Sequence, residues 1–233
     1  MENFFVIGTD TGVGKTVITG AIAAYLFDKG FKVGVMKPAE SGCRIENGKL
    51  IPDDTIYIKK MSSCTLSIDI INPYRFKLPL APKIAAELEG KEIKEEELIK
   101  KFQIIKKGHD LILVEGAGGL FVPIYENKFN SHLISKLSLP IIIVSRGSLG
   151  TINHTLLTVK QAQYFKIKIL GVIINYKDPV ESIADRTNPE VLKKYLNVPI
   201  LGVFPYIGSK KNINSKEYLI KLVKENINLK CVL

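Results

Sequence analysis

The feature that most constrains this chain is Gly8-Thr9-Asp10-Thr11-Gly12-Val13-Gly14-Lys15-Thr16, set between the apolar run Phe4 to Ile7 and a helical pattern from Val17 through Phe27. Glycines after a buried strand let backbone N–H groups turn inward around phosphate oxygens, and the helix that follows points its positive end at them. Lys15 then neutralises the β- and γ-phosphates of a bound nucleotide, and the Thr16 hydroxyl ligates magnesium. Five residues separate Gly8 from Gly14, one more than the common phosphate-binding loop has. The dinucleotide fingerprint fails, because its third small residue would fall on Val17.

The rest of the chain repeats this strand-then-helix unit. Short β-branched runs occur at Phe4 to Ile7, Lys32 to Met36, Leu111 to Val114, Ile141 to Val144, Ile169 to Ile174 and Ile200 to Val203. Near-continuous hydrophobicity of this kind fits strands covered on both faces. Helices are expected at 15–31, 53–61, 79–89, 94–107, 128–137, 151–166, 188–196 and 215–226. The alternation predicts an α/β fold, P-loop NTPase-like: a mostly parallel central sheet with helices on both faces, in a single domain. In such sheets ligands gather beyond the carboxyl ends of the strands, which directs attention to the residues after each run.

Several motifs occupy those places. Leu111 to Val114 ends in Glu115-Gly116-Ala117-Gly118-Gly119, which brings a carboxylate to the nucleotide edge and glycines that let backbone approach a phosphate. Lys37-Pro38-Ala39-Glu40-Ser41-Gly42 follows the second run, so Lys37 can stabilise charge on a transferring phosphoryl group. Asp53 and Asp54 can cap a helix or serve a metal. Leu149-Gly150-Thr151-Ile152-Asn153-His154 opens a helix whose free N–H groups suit a carboxylate. Asn175 can offer a donor and an acceptor to a purine. His109, His132 and His154 carry no metal-ligand spacing and receive no role.

Composition removes other classes. The longest apolar runs, such as Leu137 to Val144, are broken by Ser138 and Pro140, far short of the roughly 20 residues of a membrane span. The start lacks the basic and small-residue marks of a secretory signal, which predicts a cytoplasmic protein. Cys43, Cys64 and Cys231 form no CxxC pair and read as ordinary thiols. The net charge of +10 rests mostly on lysine, with Arg44, Arg75, Arg146 and Arg186 the only arginines, so a nucleic-acid partner is not expected. The Lys91 to Lys107 stretch reads as an exposed helix face with internal ion pairs.

Taken in order, GTDTGVGKT, KPAESG, NPYRF, VEGAGG, LGTINH and IIN resemble the dethiobiotin synthetases across about residues 1–175, and the long phosphate loop is the length that family uses. The resemblance implies ATP- and Mg2+-dependent carboxylation and ring closure of 7,8-diaminopelargonate with CO2, through a carbamate and its mixed anhydride with phosphate. It implies that Thr16, Asp54 and Glu115 hold magnesium, that Lys15 and Lys37 balance charge, and that Thr11 and Ser41 face the diamine. It further implies nucleotide contacts from Gly12, Val13, Gly14, Val17, Gly116, Ala117 and Gly118, with Asn175, Tyr176, Pro205 and Tyr206 around adenine. A homodimer is implied, in which Gly150, Thr151, Ile152 and Asn153 of one subunit receive the substrate carboxylate of the other. Gly12 departs from relatives with an acidic residue there, which changes amine recognition.

The alternative is a ParA/MinD-like positioning ATPase. Those proteins use an extra lysine near the loop's start, where this chain has Asp10, and some carry an amphipathic membrane anchor that Asn226 to Leu233 is too short to form. Glutamine-dependent cobalamin-pathway ligases share the fold but carry an amidotransferase domain with no counterpart here.

Overall fold

The computed structural model describes residues 2–180 and 182–230. Cys231, one of the three expected thiols, and the end of the Asn226 to Leu233 segment lie outside those residues; Cys43 and Cys64 are both buried and free. One six-stranded sheet organises the chain. Its strands are β1 (Phe4–Gly8), β2 (Val33–Met36), β3 (Leu111–Glu115), β4 (Ile141–Arg146), β5 (Ile169–Asn175) and β6 (Ile200–Phe204). They lie in the order β6-β5-β4-β1-β3-β2, and every pairing is parallel.

The helices that join them are α1 (Lys15–Asp28), α2 (Asp53–Ser62), α3 (Pro82–Leu88), α4 (Glu95–Lys106), α5 (Asn130–Leu137), α6 (Thr151–Tyr164), α7 (Ile183–Tyr195) and α8 (Lys216–Asn226). Successive strand side chains point to opposite faces. In β1, Phe4 and Val6 therefore join the core beneath α1, α2 and α8, whereas Phe5 and Ile7 join the core beneath α3, α4, α5 and α6. All four are fully buried, each contributing about 1.5–3 kcal/mol relative to exposure. Covering both faces is what makes every residue of such a strand apolar.

Element boundaries shift at most helices, among them the one expected at 79–89, which spans Pro82–Leu88, and three of the shifts have a clear physical reason. The first helix ends at Asp28, not at 31, because Gly30 takes φ 92° and the Gly30 and Phe31 N–H groups close back on Phe27 and Leu26. The helix expected from 128 begins at Asn130, since Lys128–Phe129 pair with Pro123–Tyr125 as a small hairpin. The helix expected from 188 begins at Ile183, where Ser182 and Asp185 form a capping box. Pro189 thus lies inside α7 and cannot donate to the Asp185 carbonyl. The Tyr176 hydroxyl donates to that carbonyl instead.

Short elements absent from the sequence reading are the one-turn helices Ile68–Ile71 and Lys210–Ile213 and the paired strands Ala39–Glu40 with Tyr74–Arg75 and Arg44–Glu46 with Lys49–Ile51. Lys101 and Glu97 form one of the ion pairs expected on the α4 face, at 3.2 Å. No helix among the described residues is long and apolar enough to cross a membrane.

Candidate active site

Central position in the sheet puts the carboxyl end of β1 between those of β3 and β4, and the glycine loop leaves from there. Gly8 N–H donates to the Gly118 carbonyl at 3.1 Å and Thr9 N–H to the Val144 carbonyl at 3.0 Å, so the loop is stitched to both neighbouring strand ends. Gly14 starts α1 at φ 92°, and a Cβ there would fall 2.1 Å from Asn175 Nδ2; only glycine meets both conditions. The Asn175 amide donates to the Val13 carbonyl at 2.8 Å, which leaves its other N–H and its carbonyl oxygen for a ligand. Lys15 folds over the loop toward the Asp10 carbonyl, 3.3 Å away.

Four side chains converge beside this loop. Glu115 is fully buried at the end of β3; its Oε1 accepts from the Thr16 hydroxyl at 2.8 Å and from Lys37 Nζ at 2.5 Å. Lys37 also reaches Asp54 Oδ2 at 2.9 Å. The two adjacent aspartates divide their roles, since Asp53 pairs with Arg44 at the surface, 2.6 Å from its Nε, while Asp54 faces the cleft. Burial lowers the Lys15 pKa to about 8, outweighing Glu115. Burial also acts to lower Lys37, but Glu115 and Asp54 together outweigh it and hold the ammonium above its ordinary range. For Asp54, burial raises the carboxyl while Lys37 and the Thr16 hydroxyl overcome it, leaving the pKa lowered.

The resulting cleft of about 660 Å³ is bordered by Thr11, Gly12, Gly14, Lys15, Thr16, Lys37, Ser41, Asp54, Glu115, Gly116, Ala117 and Gly118. A second cavity of about 290 Å³ adjoins it at Gly14 and is lined by Val17, Asn175, Tyr176 and Tyr206 among others; Pro205 lies outside its lining. Gly150, Thr151, Ile152 and Asn153 open α6 and border neither cavity. Beside them Leu149 is 80% exposed.

Residues without a role in the sequence reading support the site. Asn130 donates to the carbonyls of Ala117 and Gly119 at 2.7 and 2.9 Å, fixing the loop after Glu115. Asn72, inside the NPYRF motif, donates to the Lys37 carbonyl at 2.7 Å. Lys177 overhangs the loop, with Nζ 4.0 Å from where a Gly12 Cβ would lie. Glu40 anchors the start of α2, as detailed below.

Comparison with known proteins places this geometry. An AAA-domain family model matches residues 2–214. An ATP-dependent dethiobiotin synthetase of Bacillus subtilis (strain 168) is 46% identical over 230 residues, spanning 98% of this chain and 96% of that protein. The chain belongs to the dethiobiotin synthetase family. A second dethiobiotin synthetase, from Thermodesulfovibrio yellowstonii, is 42% identical over 212 residues, 88% of each chain. Among solved structures, the septum site-determining protein MinD of Pyrococcus horikoshii, complexed with Mg-ADP, superposes with a TM-score of 0.58 over 97% of this chain and 96% of that one, at 18% identity. That likeness concerns the fold alone.

Proposed function

We propose that this chain closes the ureido ring of dethiobiotin from 7,8-diaminopelargonate, CO2 and ATP; its relatives are named ATP-dependent dethiobiotin synthetases. The observation that carries the reading is the meeting of Lys15, Thr16, Lys37, Asp54 and Glu115 in one cleft beside the glycine loop. One substrate amine attacks CO2 and loses a proton, giving a carbamate. A carbamate oxygen attacks the γ-phosphorus of ATP and ADP leaves; the second amine then attacks the carbonyl carbon, gives up a proton to the departing phosphate or to water, and phosphate leaves.

The protein's part in this sequence is positioning and charge balance. Loop amides and Lys15 hold the nucleotide phosphates, Lys37 neutralises charge on the carbamate and the transferring phosphoryl group, and Thr11 and Ser41 face the diamine. Magnesium fits the remaining oxygens. Glu115 Oε2 is buried without a hydrogen-bond partner, and two carboxylates with one hydroxyl match the oxygen preference of a small divalent cation that keeps several waters. Thr16, Asp54 and Glu115 would hold it, and bound there it would neutralise phosphate charge. Both carboxylates pair with Lys37, so a cation held there would share them with that ammonium, which stays placed to balance charge on substrate oxygens. Asn175, Tyr176, Tyr206 and the adjacent Pro205 form the adenine end.

A homodimer completes the reading. The start of α6 borders neither cavity, and Leu149 before it and Leu157 within the helix are 80% and 53% exposed. Covering them with a second copy would bring Gly150 to Asn153 to the partner's diamine carboxylate. A cytoplasmic setting suits the reduced thiols. The test is phosphate release from Mg-ATP and bicarbonate with and without 7,8-diaminopelargonate, following dethiobiotin by mass. Equal phosphate and dethiobiotin supports the assignment; hydrolysis independent of the diamine rejects it.

A further inference from the structure

Glu40 ends the short Ala39–Glu40 strand, is only 5% exposed, and has no part in the chemistry above. Both its carboxylate oxygens are committed to the start of α2. Oε1 accepts from the Asp54 N–H at 2.9 Å, while Oε2 accepts from the Thr55 N–H at 3.0 Å and from the Thr55 hydroxyl at 2.7 Å. A helix start leaves four N–H groups without intrahelical partners, and the local N-cap residue of α2 is Pro52, which makes no side-chain cap bond. The cap is supplied from a different segment of chain.

The location of that cap is what gives it a consequence. Glu40 follows Lys37 by three residues on the strand-end loop, and one of its three donors is the backbone of Asp54 itself. Asp54 is therefore held twice, through its N–H by Glu40 and through its carboxylate by Lys37. A third carboxylate buried beside Asp54 and Glu115 adds like charge. A glutamate side chain, in return, spans two consecutive amides and a hydroxyl with charge-assisted bonds, in line with the positive end of the helix.

We propose that Glu40 is a positioning residue of this site, which fixes the backbone at Asp54 so that its carboxylate joins Thr16 and Glu115 in holding the divalent cation. The inference rests on the reading of Asp54 as one of the cation's ligands. It is tested on the whole chain by titrating Mn2+ in the presence of ADP, read by electron paramagnetic resonance, for Glu40→Gln, Glu40→Ala and Asp54→Asn. ADP affinity in EDTA is measured alongside. Glu40→Gln keeps the volume but turns an amide N–H2 toward a donor, so it should weaken Mn2+ binding about 10-fold, with ADP binding in EDTA unchanged.

If Asp54→Asn weakens Mn2+ binding and Glu40→Gln does not, Glu40 has no positioning role while Asp54 remains a ligand. No change in Asp54→Asn removes Asp54 from the metal site and the inference with it. Loss of ADP affinity in EDTA equal to the loss of Mn2+ affinity marks a general structural role and overturns the proposal. Glu40→Ala, which opens a larger gap, should weaken Mn2+ binding at least as much as Glu40→Gln; a smaller effect also overturns it.

Discussion

Lys37 and Glu115 meet across the ends of neighbouring strands with Nζ 2.5 Å from Oε1, and the same ammonium lies 2.9 Å from Asp54. One buried cation thus holds both carboxylates that face the phosphate loop. Breaking a buried pair by removing one partner leaves the other charge uncompensated, so substitutions here separate binding roles from catalytic ones.

Lys37→Ala should lower turnover by about 100-fold or more, the scale of losing a donor that acts on developing transition-state charge. ADP binding, proposed above to rest on the loop amides and Lys15, should persist. Single-turnover rates and ADP titration check this together; near-normal turnover rejects the role given to Lys37.

Glu115→Gln should raise the Mg2+ concentration needed for half-maximal activity by about 10-fold, because it removes one of the two carboxylates proposed to hold the cation while keeping the side-chain volume. Activity measured against Mg2+ at fixed ATP provides the readout. An unchanged midpoint would remove Glu115 from the metal site.

Lys15 supplies a pH prediction in which stability and affinity move oppositely. Burial brings its pKa in the ligand-free protein to about 8, from an ordinary 10.5. Between those values the unfolded chain keeps a proton that the folded protein has shed, so this group makes stability rise with pH across that window. Nucleotide phosphates favour the protonated lysine, so ADP affinity in EDTA should fall above about pH 8, by up to about tenfold per pH unit. Calorimetric titration from neutral to alkaline pH tests it, and Lys15→Met should flatten the slope.

Much of this architecture is written in the sequence because burial on both faces demands unbroken apolar strands. The run Phe4 to Ile7 is legible for that reason, although its residues serve two separate cores. The loop residues are legible because glycine and lysine are forced by backbone conformation and phosphate charge, as Gly14 shows. What stays hidden is long-range polar support. Glu40 caps a helix 14 and 15 residues away, and the Tyr176 hydroxyl satisfies the carbonyl that Pro189 leaves open in α7. Nothing local marks such contacts. Proline suits a helix start, yet Pro189 lies inside α7, whose beginning is the Ser182–Asp185 capping box.

Asn130 offers a test of that hidden support. Its side-chain amide holds the carbonyls of Ala117 and Gly119, and the residue is fully buried. Asn130→Ala leaves two half-buried carbonyls of the Glu115 loop without their donor, at a cost of up to about 1–3 kcal/mol for each one that water does not reach. Asn130→Asp should be worse at neutral pH, since a carboxylate would face two carbonyl oxygens. Thermal unfolding should therefore rank wild type above the alanine variant and that above the aspartate variant. Because the loop also lines the cleft beside Thr11, KM for ATP should rise with the same ranking. An Asn130→Ala protein with wild-type melting and wild-type KM would show that the loop holds its shape through its backbone bonds, such as Gly8 to Gly118 and Gly116 to Val6.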